Sequence, residues 1–395
     1  MDEALERLRH TLHPVAETDR VAVTEADGLF LAEPVSTRRA NPPVANAAVD
    51  GYALAGASFG EGAQTVPLLA GRAAPGAPFG EIVPEGHAVR ILTGAAVPVG
   101  VDTVVLEEDC AIEATRIAFH GPLKVGANTR RMGEDVKAGY PLFSEGHRLR
   151  PQDLALLAAT GNDQLTVHRR LRVGVVSTGS EVREPGAVAA DHEVWDANRP
   201  MLLAQIARLG FEPVDLGHVP DDRAQLRQRL DDGALCTDAI LTSGGASAGD
   251  EDHVSALLSE TGALGLWRIA IKPGRPLALA TWKNAVIFGL PGNPVAAFVC
   301  TLVFAAPALR RLAGGEFEER RWVMVPAAFE KRKKAGRREF LRARLNGAGE
   351  AEVFRSEGSG RISGLTWSDG LVELPDGAVD VRPGTPVRYI AYDRF

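Results

Sequence analysis

The sequence is poor in cysteine and has no excess of positive charge. Its three cysteines, Cys110, Cys236 and Cys300, are scattered and form no CxxC pair, which argues against a disulfide framework and favours reduced, mostly buried thiols. The 44 basic and 51 acidic residues give a formal net charge of −7, which disfavours a general nucleic-acid or anionic-membrane binder. An anionic ligand must therefore be bound by a local group of residues.

Long apolar runs and targeting segments are also missing. No uninterrupted apolar run reaches the roughly 18 residues that a membrane span needs. The chain begins with acids at an amphipathic spacing, instead of a basic region followed by an apolar core. We therefore expect a cytoplasmic protein that binds neither nucleic acid nor membrane.

The length of the chain and the distribution of its apolar residues, glycines and prolines indicate several domains. Its 395 residues exceed one ordinary core, at roughly 100 to 200 residues per domain. From residue 46 to about 131, short apolar runs cut by glycine and proline predict a β-rich domain. From 171 to about 312, strands alternating with amphipathic helices predict an α/β domain with a mostly parallel sheet. Short strands after residue 321 predict a small, β-barrel-like C-terminal domain.

Within the α/β segment, apolar runs and helix signals locate individual elements. Residues 198–209, with Pro200 early and Gly210 directly after, predict a helix, and Pro294 stands where a long final helix begins. Strands are predicted at 171–177, 212–216, 238–242, 277–280 and 285–288.

Three of these strands end in loops rich in glycine and serine, at 177–181, 242–250 and 290–294. Ligands of open α/β sheets bind at the carboxyl ends of the strands, and glycine backbones and helix N-termini suit phosphate. The alternative is an ordinary turn, which explains one such loop better than three in register. The expected phosphate-binding residues are Ser243, Gly244, Gly245, Ser247, Pro291, Gly292, Asn293 and Pro294.

Charged residues near these loops supply further candidates. Carboxylates in or just after the loops suit Mg²⁺ that bridges phosphate oxygens, whereas helix capping is the alternative for Asp196 and Asp221. These acids are Glu181, Asp196, Asp221, Asp250 and Asp252. Neither GxGxxG nor GxxxxGK[ST] occurs, so the usual dinucleotide and P-loop sites lose their sequence support.

Two groups of cations remain. Lys272 and Arg275 lie in a segment stiffened by two prolines, which favours a shared direction toward a dianion, although a solvated loop is the alternative. For the second group we expect mostly solvent-facing positions, with one or two residues lining a cleft. Its members are Lys331, Arg332, Lys333, Lys334, Arg337, Arg338, Arg342 and Arg344.

Taken together, the motifs resemble the MoeA family of molybdopterin molybdenumtransferases over essentially the whole chain. The matching segments are 46–53 (NAAVDGYA), 90–95 (RILTGA), 130–135 (RRMGED), 177–182 (STGSEV), 196–202 (DANRPML), 242–249 (TSGGASAG), 272–276 (KPGRP), 290–295 (LPGNPV) and 336–342 (GRREFLR). One departure is Ser180, which stands where the family often has Asp and removes one potential metal ligand.

The resemblance implies a dimer of elongated, four-domain chains. The implied divisions are a discontinuous scaffold and dimerisation region (1–45 and 137–170), a β-rich lid (46–136), a MogA-like α/β domain (171–322) and a C-terminal β domain (323–395). The lid of one chain then faces the α/β domain of its partner. By this resemblance Asp50 and Thr93 act from the lid, while the α/β side is lined by Glu181, Asp221, Asp252, Arg268 and Lys272.

The implied reaction inserts molybdate into the dithiolene of adenylylated molybdopterin and releases AMP. Arg275 helps to hold molybdate, with Arg337 and Ser359 assisting, and Mg²⁺ is bound by Glu181, Asp221 and Asp252. A MogA-like adenylyltransferase and molybdoenzyme-maturation proteins are the implied transient partners. The rival interpretations are adenylyl transfer by this chain itself, and a gephyrin-like scaffold or molybdopterin-binding protein without turnover.

Overall fold

The fold is that of a computed structural model, which describes residues 1–244, 253–260, 265–268, 270–274, 276–318 and 320–394. Of residues 259, 265–268, 276 and 277 it describes the backbone alone. The described residues form an α/β domain joined to several β-rich regions, as the sequence predicts.

Helices and strands are numbered in chain order. The helices are α1 (Asp2–Thr11), α2 (Pro151–Ala159), α3 (Asn198–Leu209), α4 (Arg223–Cys236), α5 (His253–Glu260), α6 (Pro294–Cys300), α7 (Ala306–Leu312) and α8 (Ser363–Trp367). The strands are β1 (Thr18–Ala22), β2 (Phe30–Leu31), β3 (Val35–Ser36), β4 (Asn46–Ala47), β5 (Gly51–Leu54), β6 (Gly62–Ala73), β7 (Ala88–Ile91), β8 (Thr103–Leu106), β9 (Ala111–Glu113), β10 (Arg116–Gly121), β11 (Thr129–Arg130), β12 (Pro141–Phe143), β13 (Gln164–His168), β14 (Arg172–Thr178), β15 (Val182–Arg183), β16 (Val194–Trp195), β17 (Glu212–Val219), β18 (Ala239–Ser243), β19 (Gly265–Arg268), β20 (Ile271–Lys272), β21 (Pro276–Trp282), β22 (Ala285–Leu290), β23 (Val323–Pro326), β24 (Lys331–Lys333), β25 (Arg338–Leu345), β26 (Ala351–Val353), β27 (Gly370–Leu374), β28 (Val379–Val381) and β29 (Pro386–Ala391).

The chain leaves its N-terminal region and later returns to it. β1 and β2 pair with opposite edges of β13, and β3 pairs with β12, so segments from before and after the inserted sheet share one small core. Leu31, Leu149, Leu157 and Val167 are fully or almost fully buried in that core. A region built from two separate stretches therefore carries the insertion between them.

The inserted region is a six-stranded sheet with the order β8-β5-β7-β6-β10-β9. Its central strand β5 begins at Gly51, where an added Cβ would lie 1.9 Å from the carbonyl oxygen of Val105 in β8. Only glycine permits this approach, so Gly51 fixes how β5 sits beside β8 and where Asp50, directly before it, emerges from the sheet.

The α/β domain is a six-stranded sheet with the order β17-β14-β18-β22-β21-β19. The pairings from β17 to β22 are parallel, whereas β21 and β19 are antiparallel additions. Only Lys283 and Asn284 separate β21 from β22, which is too short for a crossover and forms a hairpin instead. The carboxyl ends of β14, β18 and β22 consequently meet at one edge of the sheet.

The apolar helix Pro294–Leu312 belongs to the core. It begins at Pro294, as predicted, and runs through α6, a π-helical stretch at Thr301–Ala305, and α7. Its 19 residues have a mean hydropathy of 1.7, so by length and composition it is the one helix of the described chain that could cross a membrane. However, 83% of its apolar window is buried inside the protein, which is typical of a core helix.

The C-terminal sheet includes a strand from the α/β segment. Its order is β20-β25-β27-β29-β23, and β20 pairs in parallel with β25 so that Ile271 faces Arg338 and Lys272 faces Glu339. The N-terminal helix α1 joins the same side of the molecule, because Asp2 accepts hydrogen bonds of 2.7 and 2.9 Å from Arg338. The segment that holds Lys272 is therefore tied to the C-terminal domain.

Two predictions about exposure are wrong. Most of the second basic group does not face solvent: among its members only Arg332, Lys334 and Arg344 are exposed, and the rest are partly or fully buried by carbonyl and carboxylate partners or by packing. Lys333, for example, donates to the carbonyl of Gly377 at 2.9 Å. The thiols are free, but only Cys300 is buried, where burial raises its pKa to about 12.

Asp238 links the N-terminal region to the α/β sheet. Both of its oxygens accept from the Arg169 guanidinium, at 2.7 and 2.8 Å, and one also accepts from the backbone N–H of Arg172 at 2.8 Å. Burial raises the pKa of Asp238. The hydrogen bonds from Arg169 and Arg172 together lower it by more, so the pKa lies below its ordinary value. The exposed Glu17 meets the same Arg169 at 3.3 Å.

We expect Asp238→Asn to lower the free energy of unfolding by about 1–3 kcal/mol, because the partly buried Arg169 guanidinium loses its buried, charged partner. Because the folded-state pKa is lowered, the stabilisation is present above the ordinary aspartate value of about 3.9 and is lost as pH falls through the folded-state pKa. The difference from the native protein should therefore shrink in acid. Urea unfolding of the full chain at several pH values measures it.

Glu17→Gln is the matched control, since it removes an exposed carboxylate from the same arginine. An exposed pair contributes about 0–1 kcal/mol, so this change should be small. Equal losses of stability from the two substitutions would contradict the role assigned to the Arg169–Asp238 pair.

Candidate active site

A cavity of about 630 Å³ opens at the carboxyl ends of β14, β18 and β22. All three predicted loops contribute to its lining, as their positions in a parallel sheet require. The predicted site residues that it brings together are Glu181, Asp221, Ser243, Gly244, Gly292, Asn293 and Pro294. Pro291 is buried directly before Gly292, behind the lining. The cavity is therefore the meeting point of motifs that are far apart in sequence.

The loops approach one another at their backbones. Gly244 has a φ of +100°, and an added Cβ would lie 2.8 Å from Thr178 Oγ1 and 3.0 Å from the Thr178 carbonyl oxygen. The backbone N–H of Gly244 also donates to the carbonyl of Leu290 at 3.2 Å. A side chain at position 244 would push these loops apart, which explains the glycine.

Asn198, the first residue of α3, joins two of the loops. Its Nδ2 donates to Ser243 Oγ and to the Gly292 carbonyl, both at 2.7 Å. Its Oδ1 is buried and has no hydrogen-bond partner among the described residues. Asn198 lines the cavity, and a buried acceptor without a donor commonly marks a place where a water or ligand completes the hydrogen bonding.

Two cavity carboxylates have the chemistry for Mg²⁺. Glu181 is exposed to the cavity, and Asp221 is held in place because its Oδ2 accepts from Ser180 N at 2.8 Å while its N–H donates to Ser180 Oγ at 3.0 Å. Within the described ranges, no group of three or more His, Cys, Asp or Glu side chains could hold a metal ion alone. Mg²⁺ commonly takes one or two carboxylates together with phosphate oxygens and water, so this pair fits it.

Helix capping explains Asp196 but not Asp221. Asp196 is buried and accepts from Arg199 N at 3.0 Å and from Arg199 Nε at 3.1 Å, at the start of α3. The cap of α4 is instead Asp222, which accepts from Gln225 N at 2.8 Å. The carboxylate of Asp221 is thus left facing the cavity, beside a neighbour that performs the structural task.

Lys272 does not line this cavity in the described structure. Its ammonium group forms an ion pair with Glu357 and lies 3.8 Å from Glu339. Lys331 joins the same group, 3.0 Å from Glu339 and paired with the other oxygen of Glu357. The lysine predicted to meet a dianion therefore meets a carboxylate of the C-terminal domain.

The C-terminal domain also borders the cavity. Gly360 and Ile362 are among its lining residues, and the carbonyl of Ser359 accepts from Val295 N at the start of α6, at 3.1 Å. Ser359 therefore contacts the start of α6 through its backbone, but it is not among the cavity's described lining residues. Arg337 is half-buried directly before β25 and is not among the lining residues of the described chain.

Asp50 and Thr93 lie together in the inserted sheet. Asp50 Oδ1 accepts from Thr93 Oγ1 at 2.6 Å and from Thr93 N at 2.7 Å, and these two bonds lower the pKa of Asp50. Both residues are exposed, and neither belongs to the described lining of the chain's own cavity. The carboxylate is thus fixed and ionised on a separate surface.

Several predicted residues cannot be placed. Gly245, Ser247, Asp250, Asp252 and Arg275 lie outside the described residues, and Arg268 is described only as backbone in β19.

Sequence reasoning missed residues that the structure brings to the site. Asn198 and Trp195 flank the predicted loops, and His253 begins α5. The DANRPML segment could have indicated Asn198, because an asparagine at the start of a helix often forms side-chain hydrogen bonds. Nothing local indicated the pairing of Lys331 with Glu357, which requires the C-terminal sheet.

Comparison with known proteins identifies relatives that share this architecture. Three family models match in order: MoeA N-terminal region (domain I and II) over residues 1–161, probable molybdopterin binding domain over 174–311, and MoeA C-terminal region (domain IV) over 324–392. A molybdopterin molybdenumtransferase from Haemophilus influenzae is 33% identical over 398 residues, covering 98% of this chain and 97% of that protein.

Two further relatives agree over comparable lengths. A molybdopterin molybdenumtransferase from Synechococcus elongatus is 33% identical and covers 93% of each chain. The crystal structure of the molybdopterin biosynthesis MoeA protein from Pyrococcus horikoshii is 28% identical, covers 99% of each chain and gives a TM-score of 0.84. With its fold, its motifs and its full-length relatives in agreement, the chain belongs to the MoeA family of molybdopterin molybdenumtransferases.

Proposed function

We propose that the chain inserts molybdate into the dithiolene of adenylylated molybdopterin and releases AMP. The observation that carries the proposal is the cavity in which three strand-end loops, two carboxylates and a C-terminal loop converge. Relatives named molybdopterin molybdenumtransferase match nearly the whole chain, which supports the same activity here.

Phosphate binding falls to the backbone of the loops. Gly244 and Gly292 bring main chain close to the cavity, and the helix that begins at Pro294 directs the positive end of its dipole toward it. Ser243, oriented by Asn198, adds a hydroxyl at the same edge. These fixed dipoles orient the phosphate and stabilise charge that develops on it, which accelerates transfer without a covalent nucleophile.

The acidic residues bind the metal ion, and the basic residues bind molybdate. Glu181, Asp221 and Asp252 would hold Mg²⁺, which would supply positive charge to offset that of the phosphate leaving with AMP. Lys272 and Arg275 hold molybdate beside the cavity, assisted by Arg337 and Ser359 of the C-terminal domain. Arg268 contributes to binding the pterin.

The complete site belongs to a cytoplasmic homodimer. Asp50 and Thr93 are fixed on an exposed surface away from the chain's own cavity, which suits a lid that covers the cavity of a partner copy. A MogA-like adenylyltransferase supplies the adenylylated substrate, and molybdoenzyme-maturation proteins accept the product.

The purified chain should release AMP from adenylylated molybdopterin only when molybdate and Mg²⁺ are present. Lys272→Ala should lower that release on the order of 100-fold, the loss typical of removing one preorganised electrostatic partner. Chromatographic quantification of AMP measures it. Binding of the pterin nucleotide without any AMP release would instead favour the scaffold or storage interpretation.

Asp221→Asn should lower AMP release on the order of tenfold or more at limiting Mg²⁺, with partial recovery at high Mg²⁺, because a metal carboxylate is lost. Asp222→Asn is the matched control: it removes the neighbouring charge, and asparagine caps a helix about as well as aspartate. Initial rates across a Mg²⁺ titration compare the two. Equal effects of the two substitutions would remove Asp221 from the metal site.

A further inference from the structure

Four charged side chains meet where β20 pairs with β25. Glu339 is fixed in β25 and buried, with its oxygens 3.0 Å from Lys331 and 3.8 Å from Lys272. Glu357 forms an ion pair with each lysine, one through each carboxylate oxygen. Two ammonium groups thus hold a single carboxylate between them, as they would hold the oxygens of a bound oxyanion.

The two carboxylates differ in how firmly they are held. Glu339 lies within a strand, whereas Glu357 lies on the loop from Ser356 to Arg361 and 43% of its side chain is exposed. That loop is anchored through its backbone: Arg342 donates to the carbonyls of Gly358 at 3.2 Å and Arg361 at 2.6 Å. The Glu357 side chain can therefore turn toward solvent while the loop stays anchored.

Little space is left beside Lys272 while Glu357 is in place. Lys272, Phe340, Phe354 and Glu357 line a cavity of only about 20 Å³. This is about the room that one water requires and too little for a tetrahedral oxyanion. A dianion that contacts both ammonium groups at once would therefore take the position that the Glu357 carboxylate occupies between them.

We propose that Lys331 joins Lys272 in binding a tetrahedral dianion, and that Glu357 occupies the anion's position until the dianion displaces it. The inference rests on the proposed function for the identity of the dianion, which is molybdate. Burial raises the pKa of Glu357, and the bonds from Lys272 and Lys331 together lower it by more. The Glu357 carboxylate is therefore ionised at neutral pH and competes as an anion.

Calorimetric titration of the full chain with sodium molybdate, and separately with sodium sulfate, tests the inference without turnover. Glu357→Gln should bind molybdate about fivefold more tightly, because the competing charge is removed. Lys331→Met should bind it at least about fivefold more weakly, and Lys331→Arg should restore binding because it keeps the charge. Thermal unfolding of each variant verifies that it is folded.

Glu352→Gln is the charge-matched control, since Glu352 pairs with Arg344 on the same sheet, away from the lysines. It should leave the molybdate affinity unchanged. Unchanged or weaker binding by Glu357→Gln overturns the displacement model and makes Glu357 a structural ion-pair partner; a gain equal to that of Glu352→Gln overturns it as well, as a general charge effect. Should Lys331→Met not fold, the Glu357→Gln and Glu352→Gln comparison decides.

The proposed function and this inference fail separately. Molybdate binding that follows the expected order without AMP release in any variant contradicts the proposed reaction but keeps the displacement model. Molybdate-dependent AMP release by the native chain, with affinity indifferent to Glu357→Gln, keeps the reaction and overturns the displacement model.

Discussion

The amide of Asn198 is the contact on which the geometry of the cavity depends. Its two N–H groups bind Ser243 Oγ and the Gly292 carbonyl, so both donors are used to hold two strand-end loops at one distance. Loops that carry backbone dipoles toward a ligand are effective only when their separation is fixed before the ligand arrives. Asn198 is itself fixed, because it begins α3 and is buried against the sheet. The start of α3 thus fixes the separation of the two loops, and the loops shape this edge of the cavity.

A second constraint couples the cavity to the C-terminal domain. β20 leaves the α/β segment to pair with β25, which places Lys272 opposite Glu339, while the backbone of Ser359 returns to meet Val295 at the start of α6. Two independent contacts therefore join the domains near Lys272 and Lys331. Relative movement of the domains would change both the cavity edge and the lysine cluster.

Features set by local sequence were predicted well. The helix at 198–209, the five strand positions and the helix start at Pro294 all follow from apolar periodicity, glycine and proline, which act within a few residues. The convergence of the three loops followed from the rule for parallel sheets. The antiparallel pairing of β21 with β22 follows from the short Lys283-Asn284 turn, which indicates a hairpin only once the two strands on either side of it are known.

Features set by distant partners were not predictable in the same way. A run of cations usually lies on a solvated surface, which is why the second basic group was predicted to face solvent. Its burial comes instead from carbonyls and carboxylates that other strands contribute. Lys272 and Glu357 are 85 residues apart, so no local pattern links them. The sequence identified which residues carry charge, and only the fold determines which charges meet.

The paired state of the lysines also bears on selectivity in a chain of net charge −7. Bare ammonium groups would attract any small anion. With Glu357 between Lys272 and Lys331, an entering monoanion replaces one negative charge by another and gains little Coulomb energy, whereas a dianion brings twice the charge to the same two cations. The fixed Glu339 carboxylate keeps the lysines together after Glu357 leaves, at the cost of some attraction for the guest. On the displacement model, a carboxylate that leaves beside one that stays therefore favours a doubly charged oxyanion over monovalent anions.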